Sequence, residues 1–119
     1  MDCRLIIDEP AGGAWNMAMD EALLESCEDA ATGACLRFYF WEQPTVSLGY
    51  FQSHLDRCLH KSSQDCPLVR RSTGGGAIVH DVELTYSFTS PVPKHATFNL
   101  RTWYGAFHQT LVDELSTSR

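Results

Sequence analysis

The densest chemistry in this chain lies in one run, Arg70-Arg71-Ser72-Thr73-Gly74-Gly75-Gly76-Ala77-Ile78-Val79-His80-Asp81. Three consecutive glycines inside a strand-rich stretch cost conformational entropy and add no packing. They are used where the backbone must take φ > 0, or where a ligand comes up against the main chain. Bare N–H groups on such a loop form an anion nest. Arg70 and Arg71 stand just before it, and their planar, permanently charged guanidinium groups suit phosphate oxygens. His80 and Asp81 follow with an imidazole and a carboxylate. The whole reads as an anion-binding loop with cationic and imidazole flanks. It is not a P-loop, because no Gly-Lys-Ser/Thr follows, and it is not a G-x-G-x-x-G turn. The competing reading is a glycine-rich hairpin with solvated arginines and a structural His-Asp pair.

The elements that must position this loop are legible on both sides of it. Arg4–Asp8 reads as a short strand, broken by Pro10-Ala11-Gly12-Gly13. Asn16–Cys27 reads as a helix with Asn16 as N-cap, Met17, Leu24 and Cys27 near one face, and Ala18, Ala22 and Leu23 widening it. Leu36–Trp41 is a strand whose alternation puts Leu36, Phe38 and Phe40 on one face. Thr45–Tyr50 is a second, and the two are expected to form a hairpin across Glu42-Gln43-Pro44. Gln52–Ser63 is expected to be a helix with an apolar pair at Leu55 and Leu59. Leu68–Arg71 runs into the glycines and Ala77–His80 leaves them as strands. Leu84, Tyr86 and Phe88 alternate against Thr85, Ser87 and Thr89 in the clearest strand pattern. Phe98–Leu115 closes as a helix, with Trp103, Phe107, Thr110, Leu111 and Leu115 on one face. The fold class expected is α+β: a mixed, mainly antiparallel sheet with flanking helices, in one domain spanning residues 1–119.

Bulk properties narrow the function. The chain has 119 residues, 44% hydrophobic and 20% charged, an ordinary globular composition. A net charge of -6 argues against nucleic acid as partner. The five cysteines (Cys3, Cys27, Cys35, Cys58, Cys66) are odd in number and contain no C-x-x-C pair, which points to reduced thiols rather than disulfides or zinc. The N-terminus carries no signal-peptide pattern, and no segment approaches the length of a bilayer span, so a soluble cytoplasmic chain without a membrane partner is expected.

The arrangement Arg-Arg-x-x-Gly-Gly-Gly-Ala-x-x-His-Asp resembles the signature of the lipoate-protein ligase A family, which is similar to the biotin ligases and the octanoyl transferases. Trp15-Asn16-Met17-Ala18-Met19-Asp20-Glu21-Ala22-Leu23 resembles that family's first helix. Arg37-Phe38-Tyr39-Phe40-Trp41, followed by Pro44-Thr45-Val46-Ser47-Leu48-Gly49-Tyr50-Phe51-Gln52, resembles its paired strands. The resemblance implies the N-terminal half of a biotin/lipoate ligase-like catalytic fold. It also implies an activity: lipoate and ATP, with Mg2+, form lipoyl-adenylate, and the acyl group passes to a lysine of a lipoyl domain. By the same resemblance Arg71 and the main chain of Gly76, Ala77, Ile78 and Val79 hold the adenylate. A close-fitting backbone loop would shield the easily hydrolysed intermediate, a physical use for Gly74 to Gly76, and by the resemblance Arg70 and His80 line the pocket. The implied carriers are the lipoyl domains of 2-oxoacid dehydrogenase complexes or the glycine cleavage H protein.

Two departures shape that expectation. The family's essential lysine lies in the second half of the domain, and Lys61 and Lys94 here are outside its motif. No catalytic residue is therefore assigned, and a C-terminal partner chain is an expected possibility. Asp81-Val82-Glu83-Leu84-Thr85-Tyr86-Ser87 resembles the cysteine-dependent octanoyl transferases, which move octanoate from acyl carrier protein without ATP, whereas the triple glycine resembles the ligases. A third alternative is a non-catalytic half-domain that binds an acyl-adenylate or a partner chain.

Overall fold

The computed structural model describes residues 2–27, 33–92, 97 and 99–118. Among these residues the strands and α-helices are β1 (Cys3–Ile7), α1 (Gly13–Ser26), β2 (Ala34–Tyr39), β3 (Thr45–Leu48), β4 (Leu68–Arg70), β5 (Ile78–His80), β6 (Thr85–Thr89) and α2 (Leu100–Thr117). The six strands divide into two sheets of three, ordered β1-β2-β6 and β4-β3-β5. Each is mixed: β2 pairs parallel with β1 and antiparallel with β6, and β3 pairs parallel with β4 and antiparallel with β5. The α+β class with mixed pairing and flanking helices is the one expected, and the strands lie in two sheets where one was expected.

The hairpin expected between the second and third strands is absent: β2 and β3 lie in different sheets. The segment Phe40–Pro44 acts as a crossover, with Trp41 bridging in parallel to Ala11. A parallel partner has no tight-turn solution, so β2 and β3 take their partners from β1, β4, β5 and β6 instead of from each other.

The first sheet has α1 on one face and α2 on the other over β2 and β6, while Leu5 and Ile7 of β1 stay exposed. Phe88 stacks on Trp103 of α2 (centroids 4.9 Å) and Tyr86 on Phe107 (5.1 Å). Leu36 and Phe38 share that face through their pairing with Phe88 and Tyr86. The alternation read from the sequence is thus real, although Phe40 falls beyond the strand. The opposite face of β2, Cys35, Arg37 and Tyr39, is the more deeply buried one. Arg37 is fully buried and donates to Asp8 (2.7 Å) and to Asp20 of α1 (2.9 Å). Its guanidinium lies 4.1 Å from the Tyr39 ring centroid. Asp20 also accepts from Tyr39 (2.9 Å) and from Ser87 of β6 (2.6 Å). One carboxylate therefore ties α1 to two strands, and a buried charge of this kind is tolerated because it is fully paired.

That tie resets the buried stripe of α1. It runs Gly13, Asn16, Leu23, Cys27 rather than through Met17 and Leu24, and Leu24 is exposed. Asn16 is not the cap, which is Gly12. Asn16 is fully buried, and its amide donates to Phe40 O (3.0 Å) and Ala11 O (3.3 Å) while its oxygen accepts from Arg37 (2.9 Å).

Gln52–Ser63 forms no α-helix but two short 3₁₀ segments, His54–Leu59 and Lys61–Ser63. Ser53 caps the first with its side chain. Leu55 and Leu59 stay exposed, so no apolar stripe holds a longer helix in place. The last helix begins at Leu100, with Asn99 accepting from Thr102 N as its cap; Phe98 lies outside the described residues. α2 buries no residue fully, and Leu115, placed on its apolar face, is exposed. All five cysteines are free thiols. No helix among the described residues is long and apolar enough to cross a membrane.

Candidate functional site

The loop from Ser72 to Ala77 leaves β4, passes over the end of β3 and returns as β5. Its path is set by a close approach: a Cβ on Gly49 would stand 2.0 Å from the carbonyl oxygen of Gly75. Gly75 itself has φ +94°, a conformation other residues rarely adopt. Of the two reasons for glycine read from the sequence, the positive φ is present at Gly75; the close approach is a requirement at Gly49, and its neighbour is main chain of the same protein. Tyr50 N donates to Thr73 O (2.9 Å) and pins the start of the loop to β3.

Arg71 closes it. Just past β4 its main-chain N–H donates to Leu48 O (2.9 Å). Its Nη2 donates to Gly74 O (2.9 Å) and Gly76 O (2.8 Å), and its Nη1 to Ser47 O (2.9 Å) and Ser47 Oγ (2.7 Å). Partial burial pulls its pKa below the ordinary arginine value, but its two terminal nitrogens meet four acceptors, the fork geometry that only Arg offers. Across a trans peptide the C=O of one residue and the N–H of the next point in opposite directions. With Gly74 and Gly76 carbonyls turned to Arg71, the N–H groups of Gly75 and Ala77 face away from it. Gly74 to Val79 are all exposed.

Arg70 folds to the other side. Its Nη1 donates to Gly49 O (3.0 Å), Tyr50 O (3.2 Å) and Gln52 O (2.6 Å), holding the turn after β3. Nε and Nη2 of Arg70 meet no acceptor among the described residues. Gln52 reinforces the same turn by accepting from Gly49 N (2.9 Å).

The ladder fixes what β5 presents. Val46 and Leu48 use their main-chain groups toward β4, so Thr45 and Ser47 face β5 and pair with His80 and Ile78. Ile78 N–H is committed to β3. Ala77 and Val79 carry theirs on the outer edge of the sheet, because β5 is an edge strand. Their side chains, with Val46, line a pocket of about 250 Å³ walled by Asp56, Arg57, His60 and Ser63 of the 3₁₀ segments. Arg57 is turned to the main chain, donating to Gln64 O (2.5 Å) and Cys66 O (2.7 Å).

His80 does not join the exposed loop. It is buried on the opposite face of β5, its ring flat on Trp41 (centroids 4.0 Å, interplanar 11°). Its Nε2 meets Ser47 Oγ at 2.7 Å and its Nδ1 meets Glu83 Oε1. The neighbouring Asp81 is exposed, since adjacent residues of an extended chain face opposite ways. Thr85 Oγ1 donates to the same Glu83 oxygen (2.9 Å) and accepts from Trp41 Nε1 (2.8 Å). Ser47, Glu83, Trp41 and Thr85 were not singled out from the sequence. The one signal for them was an acid three residues beyond His80, on the same side of a short turn.

The arrangement can therefore present a row of main-chain donors, from Gly75 through Ala77 to Val79, beside a guanidinium with donors to spare. Comparison with known proteins bears on what such a row serves. Over 81 residues the chain is 51% identical to the octanoyltransferase LipM of Oceanobacillus iheyensis, covering 66% of this chain and 29% of that protein. It superposes on a crystal structure of lipoate-protein ligase A bound with ATP with a TM-score of 0.75 at 29% identity, over 98% of this chain and 47% of that one. It also superposes on a bi-partite lipoate protein ligase from Thermoplasma acidophilum, described with its E2 lipoyl domain, with a TM-score of 0.59 at 35% identity, over 74% of this chain and 35% of that one. The chain spans less than a third of the octanoyltransferase and about half of the ATP-bound ligase. Residues 13–117 match the lipoyl protein ligase A/B catalytic domain, leaving only short flanks uncovered, and the chain belongs to that family.

Proposed function

We propose that this chain forms the N-terminal part of a domain that holds an activated octanoyl or lipoyl group and passes it to a lysine of a lipoyl carrier domain. The observation that carries this reading is the exposed glycine loop. Arg71 draws two carbonyls inward, and the N–H groups that follow them continue into the free edge of β5. Fixed donors aimed at one place suit the oxygens of a phosphate or of a carbonyl gaining negative charge.

In the ATP-dependent form, lipoate and ATP give lipoyl-adenylate and pyrophosphate, and the carrier lysine then displaces AMP. The main-chain N–H groups of Gly75, Ala77 and Val79 grip the adenylate, and the loop Gly74 to Gly76, its carbonyls held by Arg71, shields the mixed anhydride from water. Ile78 contributes position, its N–H being committed to the ladder. Arg70, with Nε and Nη2 uncommitted among the described residues, supplies the phosphate cation, and Arg71 shapes the loop. His80 serves from behind, through Ser47. Mg2+ would travel with the triphosphate: among the described residues no group of three or more His, Cys, Asp and Glu could hold a metal. The identity to the octanoyltransferase and the segment Asp81–Ser87 favour a second form, in which the acyl group arrives on a thioester from acyl carrier protein and no ATP is used.

A C-terminal half, on the same or on a second polypeptide, completes the site in either form. Supporting this are the exposed Leu5 and Ile7 on edge strand β1 and the two-part organisation of the Thermoplasma ligase. The carriers expected remain the lipoyl domains of 2-oxoacid dehydrogenase complexes or the glycine cleavage H protein, and the compartment expected is the cytoplasm.

The test mixes the chain with a lipoyl domain and either lipoate plus ATP or octanoyl-acyl carrier protein, with and without the C-terminal half of a relative, and weighs the lipoyl domain by mass spectrometry. Acylation only when both halves are present is the expected result, and the donor that works separates ligase from transferase. Acylation by the chain alone would overturn its incompleteness. No acylation from either donor with both halves present, together with no binding of a non-hydrolysable octanoyl-adenylate, would overturn the acyl reading.

A further inference from the structure

The loop's shape depends on one guanidinium, and that guanidinium rests on residues far from the loop in sequence. Ser47 is fully buried, and its oxygen receives Nη1 of Arg71. Arg71 can only donate, so His80 Nε2 at 2.7 Å is the acceptor in reach of the Ser47 hydroxyl proton among the described residues, and that proton is assigned to it. Nε2 is then an acceptor, so the ring proton sits on Nδ1 and faces the Glu83 carboxylate. Trp41 holds the ring plane by stacking, and through Thr85 it also holds the carboxylate. Each hydrogen bond in this series sets the direction of the next.

We infer that Ser47 and Glu83 are positioning residues for the acyl cradle: Glu83 fixes the tautomer of His80, the tautomer fixes the Ser47 hydroxyl, and Ser47 seats Arg71, which orients the glycine loop. This rests on the loop being the acyl cradle. A Ser-His-carboxylate series also suggests a nucleophile, but the Ser47 side chain is closed off from solvent and already accepts from Arg71, so it has no path to a substrate.

The experiment uses the 119-residue chain, with Ser47→Ala, Glu83→Ala and Glu83→Gln. Three quantities are read: the ¹⁵N shifts of His80, the amide exchange of Tyr50 and Arg71, whose N–H groups bond Thr73 O and Leu48 O, and the affinity for an octanoyl-adenylate with sulfamate in place of phosphate. The wild type is expected to show the Nδ1–H tautomer, and Glu83→Ala to lose it. Both alanine variants are expected to speed exchange at Tyr50 and Arg71, leave β1 and β2 unchanged, and weaken the analogue about tenfold. The double variant is expected to be no worse than the worse single one, because the residues act in series. Glu83→Gln, whose amide oxygen still accepts, is expected to keep most of the affinity. If Ser47→Ala does not fold, the half-exposed Glu83 carries the test. An unchanged tautomer and unchanged Tyr50 exchange overturn the positioning role, as does exchange that rises evenly through every element. If the wild type fails to bind the analogue, the cradle reading is lost, and the tautomer and exchange data still decide whether the series orients the loop.

Discussion

Gly49 and Gly75 meet main chain to main chain: a Cβ added to Gly49 would lie 2.0 Å from the Gly75 carbonyl oxygen and 3.2 Å from the Gly74 carbonyl carbon. Backbone cannot swing aside as a side chain can, so Gly49→Ala must push the loop off β3 or move β3 itself. The expected cost is about 1–3 kcal/mol by urea denaturation, with at least tenfold weaker binding of the octanoyl-adenylate analogue. Gly76 has nothing within 4 Å of its Cβ position, and Gly76→Ala is expected to stay within about 0.5 kcal/mol of the parent. Equal stability of the two variants would disprove the account of the loop's path.

Arg71 reaches four acceptors through two nitrogens, which an ammonium cannot reproduce. Arg71→Ala is therefore expected to weaken the analogue by tenfold or more, the worth of a charge-assisted hydrogen bond being about 1.5–3 kcal/mol. Arg71→Lys should rescue little of it. Calorimetry decides, and undiminished affinity in the alanine variant removes Arg71 from the site.

Arg37 is a structural charge. Replacing it with Met leaves Asp8 and Asp20 facing each other across a partly buried gap with their cation gone. A loss of about 3 kcal/mol is expected from denaturant unfolding. A variant as stable as the parent would mean that Tyr39 and Ser87 alone satisfy Asp20.

Tyr39 makes a pH prediction. Burial, then the charge of Asp20, raises its pKa above the usual 10.0. The unfolded chain releases this proton near pH 10 while the folded chain keeps it, so its contribution is whole below that pH and falls as pH rises. The slope approaches about 1.4 kcal/mol per unit. Tyr39→Phe loses the bond to Asp20, about 1.5 kcal/mol at pH 8, but has no such slope. The gap between the two proteins should narrow from pH 9.5 to 11 in parallel urea titrations, and a gap that stays constant would exclude a shifted Tyr39.

What the sequence disclosed follows from what is local. Strand alternation at Leu84–Thr89 and the apolar runs of β1 and β2 are short-range signals, and so is the glycine cluster. Pairing is not: the proximity of Trp41 and Thr45 suggested a hairpin, but both β2 and β3 have a parallel neighbour drawn from elsewhere. Asn16 has the residue type of a cap and the surroundings of a core amide, because Arg37, 21 residues later, needs its oxygen. The Gln52–Ser63 segment has helical spacing at Leu55 and Leu59, yet nothing packs on them. At the site, the run from Arg70 to His80 was visible as a unit, but its division was not. Two arginines that looked free for a ligand spend donors on carbonyls. The histidine beside Asp81 belongs to Glu83, and its link to Arg71 passes through Ser47, a residue type too common to stand out.

The bare rim of β5 has a consequence for assembly. The amides of Ala77 and Val79 are the groups a neighbouring strand would use to extend the sheet. A polypeptide that zipped along this rim would consume the donors assigned to the acyl ligand in the proposed function, so on that proposal annexation by a strand and occupancy by a small molecule exclude each other. On the same proposal a completing half is expected to join elsewhere, at β1, β4, β6 or the open side of α2, and to leave this short rim vacant. Its brevity, three residues from Ile78 to His80, keeps it a poor template for aggregation while it waits.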